Sequence, residues 1–390
     1  MTQNLLISGE RSNVTLIANP YSVHVERWLK LFRLARIDVR IETAERPGLK
    51  LPVSVPVEFL APAWLSGPLA VRYLWAGVAA SRKRRPPGEL LHAHCTSGSG
   101  FTAWLSGHPY LVTTYGSEIF GAADRGRLYR WIIRRILHGA LRVTATTPRM
   151  AETLQQDFGV PADRIRTFSL GYDSDLFVPA SDDARRRLRS DLELPIDERI
   201  WVINRRSLPL YRTLEVVTGF LNSCEHDHGG CLVVLSGDDD PAYTRQVRSL
   251  IAGSPYGTRV RLIREFLPAE DVAAWLQAAD FAVSVPKTDQ LSTSILEAMA
   301  CGAVPVLSDL DAYRPLHTCP AVQRIQDCSA EGFARTFARL AAMSETDLMR
   351  NRQLCAEFVG KHYAETSILN EVRALFGLPP LGARDQNRAA

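Results

Sequence analysis

The chain has 390 residues, 46% of them hydrophobic and 23% charged, which is enough apolar material for two cores and excludes extended disorder. Seven scattered cysteines with no Cys-x-x-Cys pair argue against a disulfide framework or a zinc site and fit a reducing compartment. The net charge is +4, but residues 1–180 hold 22 Lys/Arg against 14 Asp/Glu, while the remainder holds 24 against 28, and no nucleic-acid motif accompanies the basic half.

Residues 1–12 are polar and expected to form a loose tail. The start, Met-Thr-Gln-Asn, lacks a basic segment followed by an apolar one, so no secretory signal is expected. Residues 13–18 (Asn-Val-Thr-Leu-Ile-Ala) read as a buried strand, 23–34 as a helix carrying Val25, Trp28, Leu29 and Phe32, and 37–41 as an alternating strand, which is a β-α-β beginning and implies a parallel sheet. The apolar stretch 59–81 is broken by Pro62, Gly67, Pro68 and Arg72 and followed by Arg82-Lys83-Arg84-Arg85. It is too interrupted to span a membrane. It reads either as a buried helix with a solvated basic end or as a surface element that leans on an anionic membrane.

Strands are expected at 90–93, 110–114, 141–144 and 165–168, with helices at 127–137 and 149–158. Residues 125–142 place six arginines among Leu128, Trp131, Ile132, Ile136 and Leu137, an amphipathic basic helix that fits a solvated face as well as an anionic partner. Residues 173–197 are polar and rich in Asp, Arg and Pro, which suits a connection. A second β-α series follows, with strands at 201–204, 231–235, 260–263, 281–285 and 304–307 and helices at 213–221, 241–251, 269–278 and 292–300. A long helical stretch with breaks covers 330–375. Two α/β halves in succession imply a ligand cleft at the carboxyl ends of their strands.

The most informative segment is Asp289-Gln-Leu-Ser-Thr-Ser-Ile-Leu-Glu297-Ala-Met-Ala-Cys-Gly302. Two carboxylates stand eight positions apart, and small polar residues lead into a helix that Gly302 is expected to end. The start of such a helix offers unpaired N–H groups and a positive dipole end to a phosphate. Glu297 could accept hydrogen bonds from a ribose diol, and Asp289 could reach sugar hydroxyls. Ser294-x-x-Glu297 is also a capping-box pattern, which would leave Glu297 a purely structural role. The segment Asn204-Arg205-Arg206-Ser-Leu-Pro-Leu-Tyr211-Arg212 follows a strand, where clustered guanidinium groups suit a diphosphate. His24, His92 and His94 are open to either acid/base or structural roles.

Together these segments resemble the retaining glycosyltransferases of family 4, and the resemblance runs from about Asn13 to Phe376. Residues 289–305 resemble the family's Glu-x7-Glu motif with its Glu-Ala-Met-Ala-Cys-Gly run. Residues 206–212 resemble its Gly-Arg-Leu-x-x-x-Lys-Gly loop, with Arg206 and Arg212 in the Arg and Lys places. Weaker matches are His92-Ala-His94, Thr114-Tyr115-Gly116-Ser117-Glu118, Gly171-Tyr172-Asp173 with Phe177, and Leu235-Ser236-Gly237-Asp238. The departures are Asp289 in place of the first Glu, Gln-Leu-Ser in place of Gly-Phe-Gly, Asn19-Pro20-Tyr21-Ser22 in place of a glycine-rich loop, and Tyr115 in place of a His.

The resemblance implies the α/β class and the GT-B fold, two facing Rossmann-like parallel-sheet domains with a deep cleft between them. It implies an acceptor-binding domain over 1–178 and a donor-binding domain over 179–365. A C-terminal helix over 366–377 would pack back on the N-terminal domain, and 378–390 would be a flexible tail. It implies transfer of a sugar from a nucleotide-sugar donor, with UDP- and GDP-sugars the expected donors, to a saccharide, lipid-linked or small-molecule acceptor, with retention at the anomeric carbon. Arg206, Arg212, Asp289 and His94 would be the catalytic residues. Gly237, Glu265, Phe266, Gln290, Leu291, Ser292, Thr293 and Glu297 would complete the donor site, and Asn19, Ser22, His24, His92, Tyr115, Gly116, Ser117 and Glu118 would line the acceptor side. No metal, cofactor or nucleic acid is expected. The location expected is cytoplasmic, with peripheral membrane contact through the basic N-terminal half. Other enzymes on this architecture, an epimerase or a phosphorylase, and a catalytically silent relative stay open; a dinucleotide oxidoreductase would need a Gly-x-Gly-x-x-Gly that the first strand and helix lack.

Overall fold

The computed structural model describes residues 13–48, 51, 53–122, 124–225, 230–235 and 240–381, with the backbone alone for Val23 and Ser117. In chain order these form β1 (Asn13–Ile17), α1 (Val23–Leu34), β2 (Asp38–Thr43), β3 (Val57–Phe59), α2 (Leu69–Ser81), β4 (Leu90–His94), α3 (Gly98–Ser106), β5 (Tyr110–Thr113), α4 (Ser117–Phe120), α5 (Arg127–Gly139), β6 (Arg142–Ala145), α6 (Pro148–Gln156) and β7 (Ile165–Thr167). There follow α7 (Asp182–Asp191), β8 (Ile200–Ile203), α8 (Thr213–Cys224), β9 (Cys231–Leu235), α9 (Pro241–Ala252), β10 (Val260–Ile263), α10 (Ala269–Ala278), β11 (Phe281–Ser284), α11 (Thr293–Ala300), β12 (Val304–Ser308), β13 (Gln323–Ile325), α12 (Ala330–Ala341), α13 (Glu345–Tyr363) and α14 (Glu365–Leu375).

The chain divides into two units: one runs up to Leu170 and resumes at Glu365, the other is Gly171–Ala364. The first unit holds a seven-stranded sheet in the order β3-β2-β1-β4-β5-β6-β7, the second a six-stranded sheet in the order β10-β9-β8-β11-β12-β13. Every pairing is parallel, as in β1 with β4 and β8 with β11. Parallel strands are covered on both faces, and their side chains sort accordingly. Ile200 and Val202 of β8 enter one core of the second unit, while Trp201 and Ile203 enter the other. Trp201 stacks on Phe281 of the neighbouring strand at 4.3 Å.

In the first unit α14 packs Ile368, Leu369, Val372 and Leu375 with Trp28, Leu31 and Phe32 of α1. Lys30 pairs with Glu365 at 2.8 Å, and Arg373 Nη1 donates to Ala35 O at 2.6 Å. The stretch 173–197 contains a helix, α7, which Ser181 caps by accepting from Ala184 N at 3.3 Å.

The run Arg82–Arg85 is not simply a solvated end. Lys83 Nζ lies 2.9 Å from Glu42 Oε1 and also pairs with Glu58, and Arg85 Nη2 lies 2.7 Å from Glu42 Oε2. Arg85 also reaches Glu89 at 3.4 Å. Glu42 is fully buried on β2. Burial alone would raise its pKa, but the hydrogen bonds and charges of Arg85 and Lys83 outweigh it and hold the carboxyl below its ordinary value of 4.5. Glu42→Ala is therefore expected to cost about 3 kcal/mol at pH 7, because Lys83 and Arg85 lose the buried carboxylate they share and are left with Glu58 and Glu89. A group with a depressed folded pKa stabilises the protein above its unfolded value and stops doing so as pH falls through the folded one. Urea melts should show the gap between wild type and variant closing as pH drops below 4.5.

Candidate functional site

In the second unit, β9 and β10 lie to one side of β8, whereas β12 and β13 lie beyond β11. The strand order therefore reverses between the adjacent strands β8 and β11, and the carboxyl ends flanking such a reversal form a ligand crevice. Two loops leave the sheet there, residues 204–212 after β8 and residues 285–292 after β11. They are tied together by Lys287 N donating to Leu210 O at 2.8 Å, Arg212 Nη1 to Val285 O at 2.8 Å, and Asn204 Nδ2 to Ser294 O at 2.7 Å. Arg212 has a left-handed backbone, with φ 54°. This is an uncommon conformation outside glycine, and it lets the chain turn straight from Pro209–Tyr211 into α8.

At the centre is Arg205, a buried residue that the family pattern does not single out. Its Nη2 pairs with Asp289 Oδ2 at 2.9 Å, its Nη1 donates to Ser294 Oγ at 3.1 Å and also to Ser292 Oγ, and its guanidinium lies 4.4 Å from the Tyr211 ring centroid. Asp289 Oδ2 accepts a second bond from Tyr313 Oη at 2.7 Å, and Oδ1 accepts from Gln290 N at 2.9 Å. Burial and then the charge of Asp289 push the Tyr313 hydroxyl upward, so it stays a donor. Ser292 precedes the first helical residue, and its side chain does not cap α11. Ser294 is the second residue of that helix and Glu297 the fifth. A capping box needs its Ser before the helix and its Glu at the third position, so Ser294-x-x-Glu297 does not form one here. Gly302, with φ 81°, closes the helix as the sequence suggested.

Of the other donor-side residues, Leu291 is buried, Gln290, Ser292, Thr293 and Glu297 are half-buried, and Arg206 is exposed. Glu265 and Phe266 lie in the loop after β10, with Phe266 89% exposed. Gly237 lies outside the described residues.

The first unit repeats the arrangement. Its strand order reverses between β1 and β4, from which leave the loop of Asn19 and Ser22 and the turn after His94. Asn19 Oδ1 accepts from Tyr21 N at 2.9 Å, and Ser22 Oγ accepts from His24 N at 3.3 Å to cap α1. The His24 ring stacks on Tyr115 at 4.7 Å, and Tyr115 Oη lies 3.3 Å from His94 Nδ1. Glu118 accepts from Tyr115 N at 2.8 Å and from Thr96 Oγ1 at 3.4 Å, which fixes the turn through Gly116 and the backbone of Ser117. His92 stands apart from this group in one respect. It is fully buried, bonded to Thr113 Oγ1 at 2.7 Å and edge-on to Trp28 at 4.7 Å, so it supports His94 from behind. Burial pushes His92 down to about 3, and burial, His92 and His24 push His94 well below the ordinary range. Both rings are neutral at pH 7.

Residues 21–171 match the glycosyl transferase 4-like domain family, and residues 215–342 match the glycosyl transferases group 1 family. The chain belongs to the group 1 glycosyltransferases of family 4. This glycosyltransferase is 25% identical over 321 residues to the D-inositol 3-phosphate glycosyltransferase of Streptosporangium roseum, covering 73% of this chain and 70% of that protein. Its structure resembles the sucrose-phosphate synthase of Thermosynechococcus elongatus, with a TM-score of 0.76 at 19% identity, over 97% of this chain and 100% of the other. It also resembles Anabaena HepE in complex with UDP, with a TM-score of 0.76 at 13% identity, over 93% and 98% of the two chains. The paired parallel sheets of the glycosyltransferase are thus those of the GT-B fold. Among the described residues no helix is long and apolar enough to cross a membrane.

Proposed function

We propose that the glycosyltransferase moves a sugar from a nucleoside-diphosphate donor to an acceptor hydroxyl with retention at the anomeric carbon. The observation that carries this reading is the clasp of Arg205 on Asp289, Ser292 and Ser294 at the strand reversal, which sets the 204–212 loop against the start of α11. Arg206 and Arg212 hold the diphosphate, which the N-terminus of α11 also attracts. The backbone of Gln290, Leu291 and Ser292 lies against the donor sugar, Glu297 accepts from the ribose, and Glu265 and Phe266 flank the base, UDP and GDP being the expected nucleotides. His24, His94 and Tyr115 of the first unit take the acceptor.

In the reaction the bond from the anomeric carbon to the phosphate oxygen breaks, and a bond to the acceptor oxygen forms on the same face. The acceptor proton passes to the departing phosphate oxygen. Neutral His94 then orients and does not abstract. The guanidinium charges of Arg206 and Arg212 stabilise the leaving diphosphate, so the reading needs no metal.

A melting-temperature screen with UDP, GDP, CMP, ADP and TDP tests the donor site. The nucleotide that fits is expected to add about 2.7 kcal/mol of stability at 100 times its Kd. Glu297→Gln should lose most of that gain while melting like wild type without nucleotide. Proton NMR of the product should show the donor's anomeric configuration. A screen in which no nucleotide raises the melting temperature would remove the donor site, and binding without transfer across a donor panel would leave a catalytically silent relative.

A further inference from the structure

Helix α2 is unusual for a surface helix. Its one charged residue, Arg72, is buried and spends its guanidinium on the carbonyls of Ala44, Glu45, Pro62 and Leu65 at 2.8 to 3.1 Å. Its outward residues are Leu69, Val71, Leu74, Trp75 and Val78, all exposed. Trp64, 73% exposed, extends this face, with its ring edge-on to Trp75 at 6.2 Å. Helix α2 packs on α3, and α3 packs on α5. On α5, Leu128 and Trp131 are exposed, and Trp131 lines an open recess of about 500 Å³ with Trp104, Arg135, His138 and Gly139. Exposed apolar side chains at i, i+3, i+4 and i+7 spacing, here Val71, Leu74, Trp75 and Val78, share one face of a helix, and an apolar face left open to solvent marks an interaction site.

Its charge indicates what covers it. Helices α2, α3 and α5 contain no Asp or Glu, although Asp124 precedes α5. Arg127, Arg134 and Arg135 are exposed on α5, and Arg82 and Arg84 are exposed beyond α2. Lys83 and Arg85 are committed to Glu42, Glu58 and Glu89 and take no part. An apolar band set with tryptophans and edged by guanidinium groups complements an anionic headgroup layer over acyl chains. It does not complement a second copy of itself, because a two-fold contact would bring the α5 arginines toward one another.

We propose that the α2–α3–α5 face of the first unit docks on an anionic lipid bilayer. Trp64, Leu74, Trp75 and Trp131 enter the boundary between headgroups and acyl chains, while Arg127, Arg134 and Arg135 pair with lipid phosphates. The docking does not depend on the donor reading and is measured with no sugar present.

Flotation of the full chain with phosphatidylcholine vesicles, and with vesicles of equal phosphatidylcholine and phosphatidylglycerol, tests it. Binding is expected to the second kind, weaker by about tenfold on the first and reduced in about 0.5 M salt. The double variant Leu74→Ser/Trp75→Ser should lose about tenfold in affinity with an unchanged melting temperature. Arg134→Glu/Arg135→Glu should remove the preference for the anionic vesicles. The proposal fails if the wild-type chain does not float with phosphatidylglycerol vesicles, or if both double variants float as it does. It also fails if sedimentation shows a dimer that Leu74→Ser/Trp75→Ser converts to monomer, since a second copy would then cover the face.

Discussion

Arg205→Ala is expected to lower sugar-transfer turnover about 100-fold while leaving a folded protein. The side chain does not face solvent, so it acts through the groups it holds. Its removal takes from Asp289 the guanidinium at 2.9 Å and leaves the Ser292 and Ser294 hydroxyls to each other, 2.7 Å apart. Asp289 then keeps only Tyr313 Oη and its neighbour's N–H. The loop stays attached through Lys287 N to Leu210 O at 2.8 Å and Ser308 Oγ to Pro286 O at 3.2 Å, so the expected change is a displacement of the donor-sugar segment rather than collapse. A misplacement of about 1 Å costs about two orders of magnitude in rate. Arg205→Lys should recover little, since an ammonium cannot serve an aspartate and two hydroxyls in one plane while stacking on Tyr211. The exposed neighbour makes the comparison informative. Arg206→Ala should lower turnover about 100- to 1,000-fold by uncovering the leaving diphosphate and change stability by less than about 0.5 kcal/mol. On the proposed reading Arg205 positions and Arg206 touches the diphosphate, so KM for the donor should rise more in the Arg206 variant. Full turnover in purified Arg205→Ala would show that the clasp serves stability alone.

The two arginines also mark the limit of what could be read in advance. Both sheets were legible because their strands are short apolar runs covered on two faces, such as residues 231–235 and 281–284. Helix α3 was not, because it opens Gly-Ser-Gly, a poor helix start by propensity. The structure supplies the reason: a Cβ on Gly98 would stand 2.2 Å from the Tyr73 ring. Helix α7 was hidden by its charge, since seven of its ten residues are Asp or Arg. The three-residue edge strands β3 and β13 carry too little pattern to register. At the site, Asp289, Ser292 and Glu297 were legible as one contiguous segment. Whether Ser294 caps the helix turned on one or two residues of helix boundary, which sequence does not resolve. The partnership of Arg205 and Tyr313 with Asp289 joins three separate loops and carries no local signature. A family pattern aligned on Arg206 passes over it.

Asp280→Ala should be the most destabilising substitution of the second unit. Asp280 lies between α10 and β11 and is almost inaccessible to solvent. Its Oδ2 accepts from Arg189 Nη2 at 2.8 Å and from Ile200 N at 2.7 Å, and its Oδ1 takes Arg185. Its own N–H donates to Ile200 O, and its carbonyl receives Val304 N, both at 2.8 Å. One side chain thus joins α7 to the amino ends of β8 and β11, the strands between which the order reverses. Arg189 meanwhile donates to the carbonyls of Ala278, Ile196 and Glu198 at 2.8 to 3.0 Å, so it cannot swing out to water without abandoning them. A third cation, Arg352, sits close by, pushed down to about 10 by burial and then by Arg185. Truncation would leave these guanidinium groups together without their carboxylate, and breaking a buried pair in this way costs about 4 kcal/mol. For a unit of this size that is a fall of about 10 °C in melting temperature. Asp280→Asn separates the two contributions. It can still accept from Ile200 N but carries no charge, so a loss near that of Ala would assign the stability to the ion cluster. Recovery of more than half would assign it to the strand hydrogen bond. Calorimetry should show the loss in the transition that the fitting nucleotide raises, because the proposed donor site lies in the same unit.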